Sequence, residues 1–326
     1  MKRIWLFFGW ISNESEVSLS SAKNIIKHFD YKKYQLILIY RHKNGLFYIV
    51  KDINTLHKKK LLHISDFKKT FDIAFPITHG KYGEDWSLQG IFSTQKIKYC
   101  WCHVLSSALC MDKSLFKHFL SWHTIPQTKF MDIDFQLMND IWITLKVQEA
   151  KKNLSLPLYV KPANSWSSVG ISKISTYNQL NAAIKEANKH DSKILIEEWL
   201  ISPREIEIAI LGNKELKISE PGELVLAKDF YDYDDKYKNN TTMVHIPAKL
   251  SAKNKKYIIA LAQKTYKLCD CSGFARIDFF IANNTIYLNE INTLPGFTDI
   301  SMFPMLMMHQ GMTYKKLINT IISLAY

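Results

Sequence analysis

The stretch Gly273-Phe-Ala-Arg-Ile-Asp-Phe-Phe-Ile-Ala-Asn-Asn-Thr-Ile-Tyr-Leu-Asn-Glu-Ile-Asn292 predicts a β-hairpin, because the tight-turn pair Asn283-Asn284 separates two β-rich runs. Residues two apart on a strand share a face, so Arg276 lies with Asp278, and Glu290 lies with Asn292. A three-residue loop would pair residue 282 with residue 286 and would place Asp278 opposite Glu290.

The two facing carboxylates predict a cation site. Asp278 and Glu290 would repel each other amid apolar neighbours unless a cation lies between them. Oxygen ligands from Asp, Glu and Asn suit Mg²⁺, which typically bridges to substrate phosphates. The alternative is a merely solvated face.

The next residues, Leu294-Pro-Gly-Phe297, either leave the Gly296 N–H open to a close ligand or form a plain turn.

Two upstream segments carry groups that suit a nucleotide. Lys161 lies at the end of a strand and precedes the serine- and glycine-bearing loop 165–170, whose N–H groups and hydroxyls could approach phosphate oxygens. Glu197 and Glu198 lie at the end of a buried strand and could hydrogen-bond a ribose or an adenine amino group. Lysines at strand ends and exposed strand termini are common, so each signal is weak alone.

Strand and helix patterns alternate along the chain, which indicates an α/β fold, α+β in part, with a parallel sheet near the amino terminus. A break at residues 124–126 and a turn at Gly212-Asn213 predict three subdomains, over residues 1–108, 109–212 and 213–326. The expected strands are 4–8, 35–40, 72–77, 158–162, 193–200 and 205–211, and the expected helices are 18–29, 87–94, 177–190 and 252–268.

Composition excludes several classes of protein. Hydrophobic residues make up 47% and charged residues 22%, which excludes a disordered or collagen-like chain. Five cysteines, an odd number, with Cys-x-Cys spacing at 100/102 and 269/271, match neither a disulfide framework nor a zinc site. No apolar run approaches the roughly 18 residues of a membrane span, and residues 4–11 favour a buried strand over a signal peptide. We expect a cytoplasmic protein without a membrane partner.

The net charge of +13, from 43 basic and 30 acidic residues, raises the question of nucleic-acid binding. The lysines are scattered without interleaved aromatic residues, so the sequence favours a solvated, lysine-rich surface and no nucleic-acid partner.

The segments together resemble the D-alanine–D-alanine ligases, members of the ATP-grasp superfamily, over nearly the whole chain. The matching motifs follow one another in the family's order: Glu14-Ser-Glu-Val-Ser18, His79-Gly-Lys-Tyr-Gly-Glu-Asp85, Leu88-Gln-Gly90, Leu105-Ser-Ser-Ala-Leu-Cys-Met-Asp-Lys113, Val160-Lys-Pro162, Ser167-Ser-Val-Gly170, Leu195-Ile-Glu197, Phe230-Tyr-Asp-Tyr233 with Lys236-Tyr237, Arg276-Ile-Asp278 and Asn289-Glu-Ile-Asn-Thr-Leu-Pro-Gly-Phe-Thr298. The resemblance implies a three-subdomain ATP-grasp architecture with ATP between the second and third subdomains.

The resemblance also implies the site residues. Lys113, Lys161 and Lys236 would contact the phosphates, Glu197 and Leu200 the adenine, and Glu205 the ribose; the full ATP-binding set is Lys113, Lys161, Ser168, Glu197, Glu198, Leu200, Glu205, Lys236, Asn289 and Glu290. Two Mg²⁺ ions, or Mn²⁺ in their place, would be held by Asp278, Glu290 and Asn292.

The implied amino-acid site completes the list. Glu14 would bind the ammonium group of the first D-alanine and would link to Ser167 and Tyr237, while His79 lies near the same pocket. Arg276 and the Gly296 N–H would stabilise the tetrahedral intermediate. The carboxylate of the second substrate would be held by Ser301 and Met302.

The implied reaction is the ATP-dependent ligation of two D-alanines, through D-alanyl phosphate, for peptidoglycan precursors, in a cytoplasmic homodimer. D-Serine as the acceptor, or another amino-acid pair, is an alternative. Another is an ATP-binding homologue with impaired catalysis, because the family carries glycine where this chain has tryptophan at 10, 86, 101 and 166. A codon read as tryptophan in one genetic code and as glycine in another would produce this pattern; TGG codons at the four positions would exclude that origin.

Overall fold

The computed structural model describes residues 1–9, 14–57, 59–70, 72–80, 82–164, 170–225 and 243–325. The first sheet is built around β1 (Lys2–Gly9), whose residues 4–8 are almost fully buried, so this segment is a core strand as expected. β1 pairs in parallel with β2 (Tyr34–Arg41) and β5 (Ile73–Pro76), and β5 with β6 (Lys98–Tyr99).

The other elements of this first unit extend the sheet and cover it. Two antiparallel strands, β3 (Phe47–Val50) and β4 (Lys59–Leu62), give the order β4-β3-β2-β1-β5-β6, so the expected parallel sheet has an antiparallel extension. The helices are α1 (Ser15–His28), α2 (Phe67–Thr70), α3 (Ser87–Thr94) and α4 (Val104–Met111).

The second unit is a smaller antiparallel sheet with the order β7-β10-β8-β9. Its strands are β7 (Phe130–Asp134), β8 (Leu158–Pro162), β9 (Ser172–Ile174) and β10 (Lys193–Glu198). Its helices are α5 (Lys113–Trp122), α6 (Asp140–Asn153) and α7 (Leu180–Asn188).

The third unit is a six-stranded antiparallel sheet in which β12 pairs only with β11 and the remaining strands follow the order β14-β13-β11-β15-β16. Its strands are β11 (Arg204–Gly212), β12 (Leu216–Ile218), β13 (Gly222–Val225), β14 (Met243–His245), β15 (Phe274–Ala282) and β16 (Thr285–Asn292). Its helices are α8 (Ala252–Leu268), α9 (Met302–His309) and α10 (Tyr314–Ser323).

Both boundaries expected from the sequence differ from the structure. The turn signal at 212/213 predicts β11 as part of the second subdomain, but β11 pairs along its length with β15, so the change of sheet falls between β10 and β11. The 108/109 boundary falls inside α4, which is one continuous helix. A turn signal marks where a strand ends, but it does not say which sheet the strand joins.

The core is divided in an uneven way. Buried side chains from the first and third sheets form one continuous apolar cluster, whereas those under the second sheet form a cluster of their own. In the part of the chain that the structure describes, the helices lack the combination of length and hydropathy that a membrane span requires.

Candidate active site

The β15–β16 hairpin places Asp278 opposite Glu290 as expected, but by a different route. Asn283 and Asn284 both have a positive φ, of 48° and 59°, and Ala282 pairs with Thr285, so the turn has two residues rather than three. A regular ladder would then pair Asp278 with residue 289. A β-bulge shifts the register between Phe279 and Asp278 and restores the 278–290 pair.

Arg276 is held between two carboxylates on the same face of the sheet. Its Nε and Nη2 donate to Asp278 Oδ1 and Oδ2 at 2.8 and 2.7 Å, and Nε lies 3.0 Å from Glu207 Oε2. Burial acts to lower the pKa of Arg276, but the charges of Asp278, Glu207 and Glu290 outweigh it and hold the pKa well above its usual range. Arg276 is therefore a fixed, permanent cation.

A buried cluster of lysines and glutamates lies beside the hairpin. Burial lowers the pKa of Lys113, with the nearby Lys161 acting in the same direction and the negative charges of Glu290, Glu84 and Glu197 opposing them. Lys113 thus lies within reach of charges from all three units. This is the juxtaposition that a phosphate-binding site requires.

Glu197 is the centre of the second half of that cluster. Its Oε1 pairs with Lys161, and its Oε2 lies 3.0 Å from Lys117 Nζ and accepts from Thr128 Oγ1 at 3.3 Å. Burial would raise the pKa of Glu197, but Lys161 and Lys117 together lower it to about 2. Lys117 was missed from the sequence, although its place four residues after Lys113 puts both on one helix face.

Helix α1 brings the other predicted residues toward each other. Glu14 precedes its first turn and is buried, and Ser18 Oγ donates to the carbonyl of Ile77, two residues before His79. The Phe297 N–H donates to Ser21 Oγ at 3.1 Å, which fastens the loop containing Gly296 to the same helix.

The predicted acceptor residues lie at the start of α9. A Cβ on Gly296 would lie 2.8 Å from Ser301 Oγ, so only glycine fits there without a shift. Ser301 Oγ accepts from the Thr298 N–H at 3.0 Å. Met302 is buried, and a Cβ on Gly222 would lie 2.7 Å from its Cε.

The remaining predicted residues are placed as follows. Glu205 is half-buried on β11, Asn289 lies at the hairpin bulge, and Leu200 follows β10. The carboxylate of Glu198 accepts from the Ser155 N–H at 2.8 Å, so its side chain faces the α6–β8 loop. Four predicted residues lie outside the described residues: Ser167, Ser168, Lys236 and Tyr237.

The donors on the hairpin fit a divalent cation of the magnesium type. Among the described residues, no three carboxylate, imidazole or thiol groups come together as a metal site. Asp278 and Glu290 are paired across the strands, and Asn292 Oδ1 accepts one hydrogen bond, from the Leu294 N–H, leaving its second lone pair. Two carboxylates and an amide suit Mg²⁺, which keeps several waters and takes phosphate oxygens as further ligands.

Two of the four family-glycine positions lie in the described part of the chain. Trp86 has φ 104°, in the left-handed region that favours glycine. Trp101 is not among the positive-φ residues and is fully buried in the core. Trp10 and Trp166 lie outside the described residues.

Comparison with known proteins gives two family matches. Residues 3–102 match the family described as D-ala D-ala ligase N-terminus, and residues 119–323 match D-ala D-ala ligase C-terminus. The D-alanine–D-alanine ligase of Caldicellulosiruptor bescii is 40% identical over 99% of this chain and 94% of its own. That of Clostridium acetobutylicum is also 40% identical, over 99% of this chain and 98% of its own.

Solved structures agree with this match. The VanG D-Ala:D-Ser ligase from Enterococcus faecalis has a TM-score of 0.89 at 32% identity, over 99% of both chains. The D-alanine-D-alanine ligase from Coxiella burnetii has a TM-score of 0.84 at 29% identity, over 100% of this chain and 95% of its own. The chain belongs to the D-alanine–D-alanine ligase family and has the ATP-grasp fold.

Proposed function

We propose that this enzyme joins two D-alanine molecules to D-alanyl-D-alanine, with ATP as the second substrate and D-alanyl phosphate as the intermediate, for peptidoglycan precursors. The observation that carries the proposal is the group of largely buried, oppositely charged side chains that extends from Arg276 and Asp278 through Glu290 to Lys113, Lys161 and Glu197. This group would supply a cation for a developing oxyanion, oxygen ligands for a metal ion and lysines for nucleotide phosphates.

The first step is the activation of a carboxylate. A carboxylate is a poor electrophile because it is anionic and oxide is a poor leaving group, so its oxygen attacks the γ-phosphorus of ATP and ADP leaves. Lys113 and Lys161 offset the charge on the transferring phosphoryl group, with Lys236 as a third cation. Asp278, Glu290 and Asn292 would hold Mg²⁺, which supplies further neutralisation of that charge when it is bound.

In the second step the amine of the second D-alanine, once deprotonated, attacks the acylphosphate carbonyl; the C–N bond forms, the C–O bond to the phosphate breaks, and phosphate leaves. Arg276 uses part of its five-donor guanidinium on Asp278 and Glu207 and has donors left for the developing oxyanion, together with the Gly296 N–H. Ser301 and Met302 would hold the carboxylate of the second substrate.

The first D-alanine would be bound by Glu14, through its ammonium group, beside His79. Ser167 and Tyr237 would close the loop over it, which excludes water that would otherwise hydrolyse the acylphosphate.

The decisive experiment is product analysis from ATP, Mg²⁺ and D-alanine, with the dipeptide identified by mass and phosphate release measured in parallel. We expect one phosphate per dipeptide. Arg276→Met should lower kcat by about 100-fold or more, the usual cost of losing an oxyanion donor. Arg204→Met is the matched control, because Arg204 makes an equally bidentate pair with Glu223 at 2.7 Å on the same sheet. Equal losses in the two variants, or no dipeptide from the unmodified chain, would contradict the proposal.

Ligation of D-alanine to D-serine is the second candidate. It is favoured by the similarity of the chain to the VanG D-Ala:D-Ser ligase, at 32% identity and a TM-score of 0.89. Competition between D-alanine and D-serine in one reaction mixture separates the two by product mass. A third candidate is a homologue that binds nucleotide but has impaired catalysis, which is favoured by the positive φ of Trp86.

We further propose that the protein is a cytoplasmic homodimer. Analytical ultracentrifugation would measure the mass of the particle in solution.

A further inference from the structure

Lys117 is a buried charge that the proposed reaction does not use. Its side chain is 3% exposed, and its Nζ lies 3.0 Å from both Glu197 Oε2 and Thr128 Oγ1. Thr128 Oγ1 also donates to Glu197 Oε2, so the three groups form a closed triangle at one oxygen of the carboxylate.

The triangle is costly for a role in stability alone. Buried ion pairs repay their desolvation poorly, and apolar residues of similar volume often give an equal or more stable fold. Burial lowers the pKa of Lys117, and the charge of Glu197 opposes that shift. A specific partner that needs the charge explains the arrangement better, and the partner in contact is Glu197.

Helix α5 holds Lys117 in a fixed position. Asp112 caps the helix by accepting from the Leu115 N–H at 3.0 Å, and its Oδ2 pairs with Lys193 of β10 at 2.7 Å. The Lys113 N–H donates to the Ala163 carbonyl at 3.1 Å, next to the end of β8. The helix is therefore anchored to the two strands that carry Glu197 and Lys161.

The two oxygens of Glu197 have different partners. Oε1 contacts Lys161, which is the residue assigned to nucleotide phosphates, whereas Oε2 contacts Lys117 and Thr128, which have no phosphate role. If Lys161 turned toward a phosphate, Oε1 would be released to accept from an amino group, while the contacts of Oε2 would not depend on that movement.

We propose that Lys117 is a positioning residue, which holds the Glu197 carboxylate against the 6-amino group of the nucleotide base while Lys161 engages the phosphates. This inference rests on the proposed function for the assignment of Glu197 to the base. Its substrate-level consequence is selectivity for a purine with an exocyclic amino donor.

The test compares nucleotides that differ only in the 6-amino group. Binding of ADP and of purine riboside diphosphate, which lacks that group, is measured by titration calorimetry without D-alanine, using the full chain and its Lys117→Met variant. Lys255→Met is the control, since it removes a lysine–glutamate pair, Lys255 with Glu220, that lies within the third unit and does not anchor α5. We expect the preference for ADP to fall by about tenfold in Lys117→Met, as for loss of a charged hydrogen bond, and to be kept in Lys255→Met.

Two further variants keep the inference falsifiable if Lys117→Met does not fold. Lys117→Arg should retain most of the preference, and Thr128→Val, which removes the second group on Oε2, should lose a smaller part of it. An equal loss for both nucleotides, or no loss, would show that Lys117 serves packing only. Because D-alanine is absent from the titration, a failure of the ligase reaction would leave this outcome unaffected.

Discussion

Trp86 combines a bulky side chain with a backbone conformation that favours glycine. At φ 104° and ψ −22° the indole crowds its own backbone, and a bulky side chain there is a genuine outlier. The side chain is 50% exposed, so little packing offsets the strain. The N–H groups of Tyr82 and Ser87 both donate to the Asp85 carboxylate, so these hydrogen bonds of the loop do not involve the side chain of residue 86.

Trp86→Gly should therefore raise the free energy of unfolding. Strain of this kind costs about 1–3 kcal/mol, and the extra chain entropy of glycine returns about 0.5–1 kcal/mol of that, which leaves a net gain of about 1 kcal/mol. Urea unfolding of the two proteins measures the difference. Trp142→Gly, at an exposed helical position of α6, is the control and should lose stability instead. A loss in both variants would contradict the strain argument.

The lowered pKa of Glu197 predicts how the free energy of unfolding depends on pH. Its pKa is about 2 in the folded protein against an ordinary 4.5, so the folded state holds the proton less well than the unfolded chain. The stabilisation is present above the unfolded pKa and is lost as the pH falls from about 4.5 toward 2; for a shift of this size it is of the order of 3 kcal/mol. Urea unfolding at about pH 5 and about pH 3 should show a smaller drop in Glu197→Gln than in the parent chain. Identical drops would mean that other groups carry the pH dependence.

The β15–β16 hairpin is the element whose irregularity matters most. On β15 the buried residues 277, 279 and 281 alternate strictly with the partly exposed 276, 278 and 280. On β16 the buried residues are 286, 288 and 291, so the alternation skips one place. The extra residue is Asn289, and it turns Glu290 and Asn292 to the side of Asp278 while Ile291 stays in the core.

Deletion of Asn289 should therefore be tolerated by the fold. Leu288 and Ile291 would keep their inward positions in a regular ladder, and we expect the free energy of unfolding to fall by no more than about 1 kcal/mol. Deletion of Tyr287 is the control, because it would turn Leu288 out of the core and cost its burial, about 1.5–3 kcal/mol or more. The measurement is urea unfolding; a larger loss from the Asn289 deletion than from the Tyr287 deletion would refute this account of the bulge.

At the same scale, local signals predicted the elements whose apolar residues face the core. The strand at 158–162 and the helices at 87–94 and 252–268 have the bounds expected from the sequence. Helix α6 was missed because Ile141, Trp142 and Leu145 are exposed, and only Val147 and Ala150 are buried, so its apolar residues do not follow the helical period. The sheet to which β11 belongs depends on its tertiary partners, which periodicity does not encode.

The candidate site was predicted in the same uneven way. The pairing of Asp278 with Glu290 followed from the hairpin, although the turn and the bulge that produce it were not foreseen. Lys117 was not singled out, since a lysine on a helix is most often solvated and only the fold brings it to Glu197. The contact between Arg276 and Glu207 joins β15 to β11. It could not be predicted from the sequence, because periodicity does not say which strands pair.

At the scale of the whole molecule, four buried cysteines lie in the apolar core that the first and third units share. Cys102 and Cys110 both belong to the first unit, Cys110 on α4, and Cys269 and Cys271 directly follow α8 of the third unit. The Cys102 thiol donates to the Ser272 carbonyl at 3.1 Å, directly after Cys271, and all four cysteines belong to one buried apolar cluster. The cluster is part of the continuous core shared by the two units, so it closes only when they are packed together.

The five thiols should therefore be unreactive in the native protein and should become reactive together. All are free and buried, and burial raises the pKa of Cys100 and of Cys102 well above the usual range, so little thiolate is present to react. Titration with a disulfide reagent across a urea series, followed by mass spectrometry, counts the modified residues at each step. We expect modification to coincide with global unfolding measured by tryptophan fluorescence, because opening the shared core exposes both Cys-x-Cys pairs at once. Labelling of Cys102 and Cys271 at urea concentrations where the fluorescence is still native would mean that the two units separate before they unfold.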